Sequence, residues 1–263
     1  MRLLRTIAVT FALYSRIPMP HFEWKDEDMK YSISCFPWVG AVIGLVYWAV
    51  YVLGTGFGLP VTAVCLLMTA VPLIITGGFH VDGFMDVADA LSSYRTREQK
   101  LEILKDPHIG AFAVIRLCIA GLIYIASLAV VLNSDNAGIL VICLAASFFL
   151  ARALSALAVL TFRSARKEGM LFYEATTAGG DRTSNLVLTG LSIAAVIAVM
   201  TYAGYPAGAL LPCVAVGVFG WYKYKSYKEF GGITGDTAGW FVTVCEVAMT
   251  AAAALAAVLM QMR

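Results

Sequence analysis

The sequence predicts an all-α protein, a polytopic transmembrane helical bundle of about seven spans with a short N-terminal helix that is interfacial or re-entrant. Three observations carry this expectation. Of 263 residues, 60% are hydrophobic and only 14% are charged, where a soluble domain carries about 25%. Apolar segments of spanning length recur along the chain. The basic residues fall on alternate connections between those segments. A chain so poor in polar residues cannot cover a core in water, so lipid must solvate most of it.

The elements follow in order. Arg2 and Arg5 precede an apolar stretch over 6–14, a pattern shared with signal peptides. No small-x-small cleavage site follows; the chain runs on as Ser15-Arg16-Ile17-Pro18-Met19-Pro20. The segment reads as retained and too short to span, since a crossing needs about 20 residues at 1.5 Å rise each. Spans are expected over 36–53, 60–78, 112–132, 138–162, 185–202, 207–222 and 238–260. The segment 207–222 is short and Gly-rich.

The connections 54–59 and 203–206 carry no charge, and 133–137 carries only Asp135. The other connections hold Arg95, Arg97, Lys100 and Lys105, then Arg163, Arg166, Lys167 and Arg182, then Lys223, Lys225 and Lys228. Arg2, Arg5, Arg16, Lys25 and Lys30 precede the first span. Positive charge marks the cytoplasmic side, which leaves Arg263 outside. The expected location is the bacterial cytoplasmic (inner) membrane, with any chemistry at the cytoplasmic face. The outer connections are too tight to hold a site. A net charge of +2 gives no reason to expect nucleic acid as a partner.

The cysteines Cys35, Cys65, Cys118, Cys143, Cys213 and Cys245 stand singly in apolar runs. Without a C-x-x-C pair they read as small buried hydrophobes. No repeat or linker divides the chain, so residues 1–263 read as a single integral membrane domain.

Four polar clusters stand out. Asp82, Asp86 and Asp89 occupy i, i+4 and i+7, which puts three carboxylates on one helix face. They are either a solvated acidic face or a metal site. The intervening Phe79, Val81, Phe84, Met85 and Val87 pack the helix on its other sides, which favours metal. Oxygen ligands without cysteine favour a hard ion such as Mg²⁺. His80 is a ligand, a substrate contact or a hydrogen-bonded interface histidine. Lys105-Asp106-Pro107-His108 precedes a span. Asp106 is either an acidic helix cap or part of the site, with Lys105 on a phosphate. In Gly231-Gly232-Ile233-Thr234-Gly235-Asp236, glycines before a helix let backbone N–H groups approach an anion. Asp236 is there a cap or a metal ligand. Glu246, inside a span, is either a functional group or a structural carboxylate paired with Arg116 or Arg152. The fourth cluster, 163–170 with Asp181 and Arg182, is an ordinary basic loop or an Arg-based phosphate contact.

Carboxylates, Gly-rich loops and basic residues at one membrane face suit phosphoryl or pyrophosphate chemistry. CDP-alcohol phosphotransferases share the D-G-x-x-D-x-x-D run only by analogy, because their Ala-Arg pair and later Asp spacing are absent. A transporter, with Glu246, Arg116 and Arg152 lining a path, is the alternative from another class.

A closer resemblance covers nearly the whole chain. The run Gly77-Gly78-Phe79-His80-Val81-Asp82-Gly83-Phe84-Met85-Asp86-Val87-Ala88-Asp89 resembles the G-G-(hydrophobic)-H-x-D-G-x-x-D-x-x-D segment of cobalamin synthases, also called adenosylcobinamide-GDP ribazoletransferases. Residues 14–20 are similar to that family's T-R-(hydrophobic)-P-x-P, with Ser15 for threonine. Residues 101–112 are similar to its L-E-I-M-K-D-x-x-I-G-A-F, and 231–236 to its G-G-x-T-G-D. Residues 165–170 are similar to its A-R-x-E-G-L.

The resemblance implies transfer of the cobinamide phosphate of adenosylcobinamide-GDP to a hydroxyl of α-ribazole or its 5′-phosphate, releasing GMP, with Mg²⁺ required. On that basis Asp82, Asp86, Asp89 and Asp236 are expected to hold metal. Asp89 or Asp106 takes the proton. Arg16, Lys105, His80, Gly231, Gly232, Thr234, Gly235 and Glu246 are expected on substrate. Membrane lipid is an expected partner, and a homo-oligomer is compatible with the sequence.

Overall fold

The computed structural model describes residues 2–262. The order is α1 (Arg2–Tyr14), α2 (Asp26–Met29), α3 (Ser32–Gly56), α4 (Val61–Thr76), α5 (Phe79–Ser92) and α6 (Arg97–Ile103). It continues with α7 (Ala111–Leu132), α8 (Ala137–Thr161), α9 (Met170–Gly179), α10 (Arg182–Gly204), α11 (Ala207–Phe230) and α12 (Gly235–Gln261). The all-α expectation holds. The expectation for Arg263 lies outside the described residues.

All seven expected segments fall on helices, but they do not cross alike. Five helices, α3, α7, α8, α10 and α12, are long and apolar enough to span. The sixth is a broken pair: α4 ends at Gly77 and α5 leaves at 92° to it. Gly77 and Gly78 have φ of 66° and 81°, left-handed values that glycine adopts without steric cost. Helix α11 is long but falls short in apolar content among the described residues, because its last turns carry Lys223, Lys225, Lys228 and Glu229. Leu45, Ile74, Leu122 and Leu191 stand exposed on the bundle, as lipid-facing residues do. Cys118 and Cys213 are exposed as well and Cys35 is half-buried. The reading of every cysteine as buried is corrected to Cys65, Cys143 and Cys245.

Helix α8 is the bundle's centre, with α3, α10, α11 and α12 packed around it. Gly40 and Gly44 bring α3 onto it: a Cβ at Gly40 would stand 2.3 Å from the Phe148 carbonyl oxygen, and one at Gly44 2.2 Å from that of Ala145. This G-x-x-x-G spacing lets two backbones touch, which is how helices associate where lipid removes the hydrophobic drive.

Helix α1 lies against α3 and buries Val9 and Thr10 while Leu3 and Leu4 stay exposed. Arg5 forks onto Asp28 of α2 through two 3.0 Å hydrogen bonds. The polar connections meet at one end of the bundle. Lys100 pairs with Glu229 at 2.6 Å, Arg97 donates to the Lys228 carbonyl at 3.2 Å, and Tyr14 and Tyr31 reach Glu174 and Asp181.

Candidate active site

Two helix starts build the site. The Gly77-Gly78 turn opens α5 and presents Asp82, Asp86 and Asp89 along one helix. Thr234 opens α12: its hydroxyl accepts from the Thr237 N–H at 3.2 Å, and Thr237 Oγ1 accepts from the Thr234 N–H at 2.8 Å. This reciprocal cap satisfies donors the helix leaves free and fixes Asp236 in the first turn. Glycine then lets the two helices close. A Cβ at Gly83 would stand 2.8 Å from the Asp236 carbonyl oxygen, and one at Gly239 3.0 Å from that of His80. Thr243 Oγ1 donates to the His80 carbonyl at 3.2 Å. Asp82 and Asp236, far apart in sequence, thereby border one pocket of about 250 Å³.

The basic loop forms the opposite wall. The Ile233 N–H donates to the Arg163 carbonyl at 2.9 Å and the Ala165 N–H to the Ile233 carbonyl at 2.8 Å, a two-bond parallel bridge. Gly232 sits under it, where a Cβ would meet the Arg163 carbonyl oxygen at 2.4 Å. The Gly231 carbonyl accepts from Arg163 Nε at 3.0 Å and Nη2 at 2.6 Å. Gly231 and Gly232 thus serve contact between two loops, and neither borders the pocket. Gly235 and Thr234 do border the pocket, with Arg166 and Glu168.

A second opening, of about 480 Å³, lies on the other side of Phe79 and Asp82 and is bordered by Arg16. Arg16 packs over Gly77, where a Cβ would stand 2.5 Å from its Nε. Asp82 thus faces two spaces from one position.

Other expected residues are placed differently. Asp89 spends both carboxylate oxygens on the start of α7, accepting from the Gly110 N–H at 2.6 Å and the Ala113 N–H at 2.8 Å. It is a helix cap supplied from another helix, and the expectation of a metal-binding or proton-accepting Asp89 is not supported by this geometry. Asp106 is exposed and accepts from the His108 backbone N–H at 3.0 Å while meeting its ring Nδ1 at 2.6 Å. These hydrogen bonds hold its carboxyl below the usual range. It borders a third opening, of about 340 Å³, with Asp89.

Lys105 pairs with Glu168 at 2.8 Å and holds that carboxyl low, so it reaches the pocket's rim through its partner. His80 is buried between the aromatic rings of Phe36 and Phe79. Glu246 pairs with the fully buried Arg152 at 2.7 Å within the bundle, and Arg152 also donates to the Phe148 carbonyl at 3.0 Å. This is the arrangement of the structural-carboxylate reading of Glu246, with Arg152 as its partner. Arg116 is exposed. Sequence reasoning missed Glu174 and Tyr14, hydrogen-bonded and buried beside the pocket. The available signal was one acid in the apolar stretch 170–179.

Among the described residues no three or more His, Cys, Asp or Glu side chains form a ready-made metal cage. A hard dication on a diphosphate needs only one or two carboxylates and completes its shell with phosphate oxygens and water. Asp82 and Asp236 across one pocket, with Asp86 in electrostatic reach of both, fit that requirement.

The fold defines a helical membrane protein whose polar loops and carboxylates gather at one end of the bundle. The model of the cobalamin-5-phosphate synthase family matches residues 6–254, and the chain belongs to that family, as a transferase. It is 37% identical over 252 residues to an adenosylcobinamide-GDP ribazoletransferase of Lachnoclostridium phytofermentans, covering 94% of this chain and 92% of the relative. A Clostridium perfringens protein of the same description is 30% identical over 246 residues, covering 92% of this chain and 94% of the relative. One from Listeria monocytogenes is 30% identical over 244 residues, covering 90% and 92%. No solved structure matches the chain.

Proposed function

We propose that the protein joins adenosylcobinamide-GDP to α-ribazole, or to its 5′-phosphate, and releases GMP. The observation that carries this reading is the placement of Asp82 and Asp236, from two distant segments, on one pocket walled by Arg166. The names of the relatives supply the substrates. Asp82, Asp86 and Asp236 would hold a hard dication such as Mg²⁺, which offsets charge on the diphosphate and on the departing phosphate. Arg166 faces the same diphosphate from the opposite wall. Its guanidinium is aimed by donation to the Leu101 carbonyl.

Arg16 flanks Asp82 from the second opening, so two substrates approach one carboxylate from two sides. The phosphate stays in register because α5 and α12 touch through glycine and cannot slide apart without losing that contact. The basic end of the bundle faces the cytoplasm of a bacterial inner membrane by the positive-inside rule, where nucleotide substrates are available. The transporter alternative loses its path, because Glu246 and Arg152 neutralise each other inside the bundle.

The test is direct. Detergent-purified protein is incubated with adenosylcobinamide-GDP, α-ribazole and Mg²⁺, and GMP and the corrinoid product are quantified. Both are expected, and EDTA abolishes both. Formation of neither by folded protein, or full activity in EDTA, overturns the reading or its metal.

A further inference from the structure

Beside the pocket of Asp82 and Asp236 lies a second cavity of about 60 Å³ that shares Phe79, Met170, Leu171 and Gly235 with it, and at Gly235 a Cβ would meet nothing within 4 Å. Its lining is aromatic and aliphatic apart from a few polar groups. The His80 imidazole is 6% exposed and its Nδ1 has no hydrogen-bond partner. The Glu174 carboxylate is 4% exposed and accepts from the Tyr14 hydroxyl. The Ser155 side chain, 3% exposed, also borders the space.

Burying a polar atom without a partner is costly, so the imidazole nitrogen calls for an occupant. An aromatic ring does not fit, since an apolar cavity that takes benzene measures about 150 Å³. Water does fit: it needs about 10–15 Å³ and two to four polar partners.

We propose that this cavity holds ordered water bridging His80 Nδ1 to Glu174, and that Glu174 takes up the proton lost by the acceptor hydroxyl. The inference rests on the transferase reading. In the step, the acceptor O–H bond breaks as its oxygen bonds to the cobinamide phosphorus. The phosphorus–oxygen bond to GMP breaks, and its electron pair leaves on the GMP phosphate. The proton passes to the Glu174 carboxylate through water that enters past Gly235, which borders both spaces and has no side chain to close the way. Neither expected proton acceptor competes well: Asp89 caps α7, and Asp106 is exposed and held by His108.

Burial pushes the Glu174 carboxyl up to about 7, and the Tyr14 hydrogen bond pulls it back, which suits proton exchange near neutral pH. The titratable groups facing Glu174 across the cavity are Tyr14 from α1 and His80 from α5; α3, α8 and α12 present Phe36, Ser155 and Gly239 there. Helices α2 and α10 meet α9 elsewhere, through Asp26 at Tyr173 and Asn185 at Ala178.

The experiment measures GMP release against pH for the purified protein, Glu174→Gln and Tyr14→Phe. Wild-type kcat should fall as pH drops through about 7. Glu174→Gln should lose that limb and lower kcat by on the order of 10–100-fold, with KM for adenosylcobinamide-GDP unchanged. Tyr14→Phe should move the limb to higher pH, because the donor that stabilises the carboxylate is gone. Should Glu174→Gln fail to fold, Tyr14→Phe decides the matter. Wild-type profiles and rates in the folded variants overturn the proposal. Absence of GMP formation by the wild type overturns the transferase reading instead.

Discussion

Three aspartates at i, i+4 and i+7 look equivalent in sequence, yet they do different work once folded. Asp82 faces two openings, whereas Asp89 is committed to backbone N–H groups of α7. Asp82→Asn should leave the protein folded in membranes and lower GMP release by at least about 100-fold, on the scale of losing one preorganised charge in a transition state. Asp89→Ala should instead remove a helix cap, costing about 0.5–2 kcal/mol, read as a lower melting temperature in detergent. A full-rate Asp82→Asn enzyme would refute its place on the diphosphate.

Glu174 makes a prediction of opposite sign to most carboxylates. Its folded pKa of about 7 lies above its ordinary value of 4.5, so between those values the native state holds the proton more tightly than the unfolded chain. Stability should therefore fall as pH rises from about 4.5 to about 7. Glu174→Gln should flatten that part of a melting-temperature profile, and an unchanged slope would show that the carboxyl titrates normally.

At the scale of elements, glycine sets the site's dimensions. Gly83 holds α5 against the backbone of α12, and alanine there would place its Cβ 2.8 Å from the Asp236 carbonyl oxygen. The helices must move apart, and with them Asp82 and Asp236. Gly83→Ala should lower kcat by roughly 100-fold, the scale of a 1 Å misplacement, while the chain still inserts and purifies. A rate within twofold of wild type would mean that the two carboxylates act independently. Gly77 and Gly78 act at the same scale by turning an apolar span into a helix that runs at a right angle to it. The sequence showed those glycines beside the acidic run. It did not show that 60–78 stops short and that the aspartate helix is the other half of a broken pair, because hydropathy does not report direction.

For the molecule as a whole, the ion pair of Arg152 and Glu246 joins α8 to α12 in the bundle's interior. Replacing one partner strands a charge away from water, so Glu246→Gln should cost about 3–5 kcal/mol. Thermal unfolding in detergent measures this, with KM for both substrates unchanged. A KM change without loss of stability would place Glu246 on substrate after all. The same scale explains the polar end of the bundle, where the basic loop, the Gly-rich loop and α9 are tied to one another and to α1 by hydrogen bonds between segments remote in sequence.

Composition and periodicity by themselves determined the class, the helices, the sidedness of charge and the acidic helix face, because lipid solvation and the helical repeat act on local sequence. The motifs that resemble the family singled out Asp82, Asp236 and the loops around them as candidates. Only the tertiary structure decided which aspartate caps a neighbour and which glycines carry helix contact. It also decided that Glu246 is matched by Arg152 and that Glu174 lies beside the pocket. Each of those outcomes depends on a partner far away in the chain, and spacing along one segment holds no information about what packs against it.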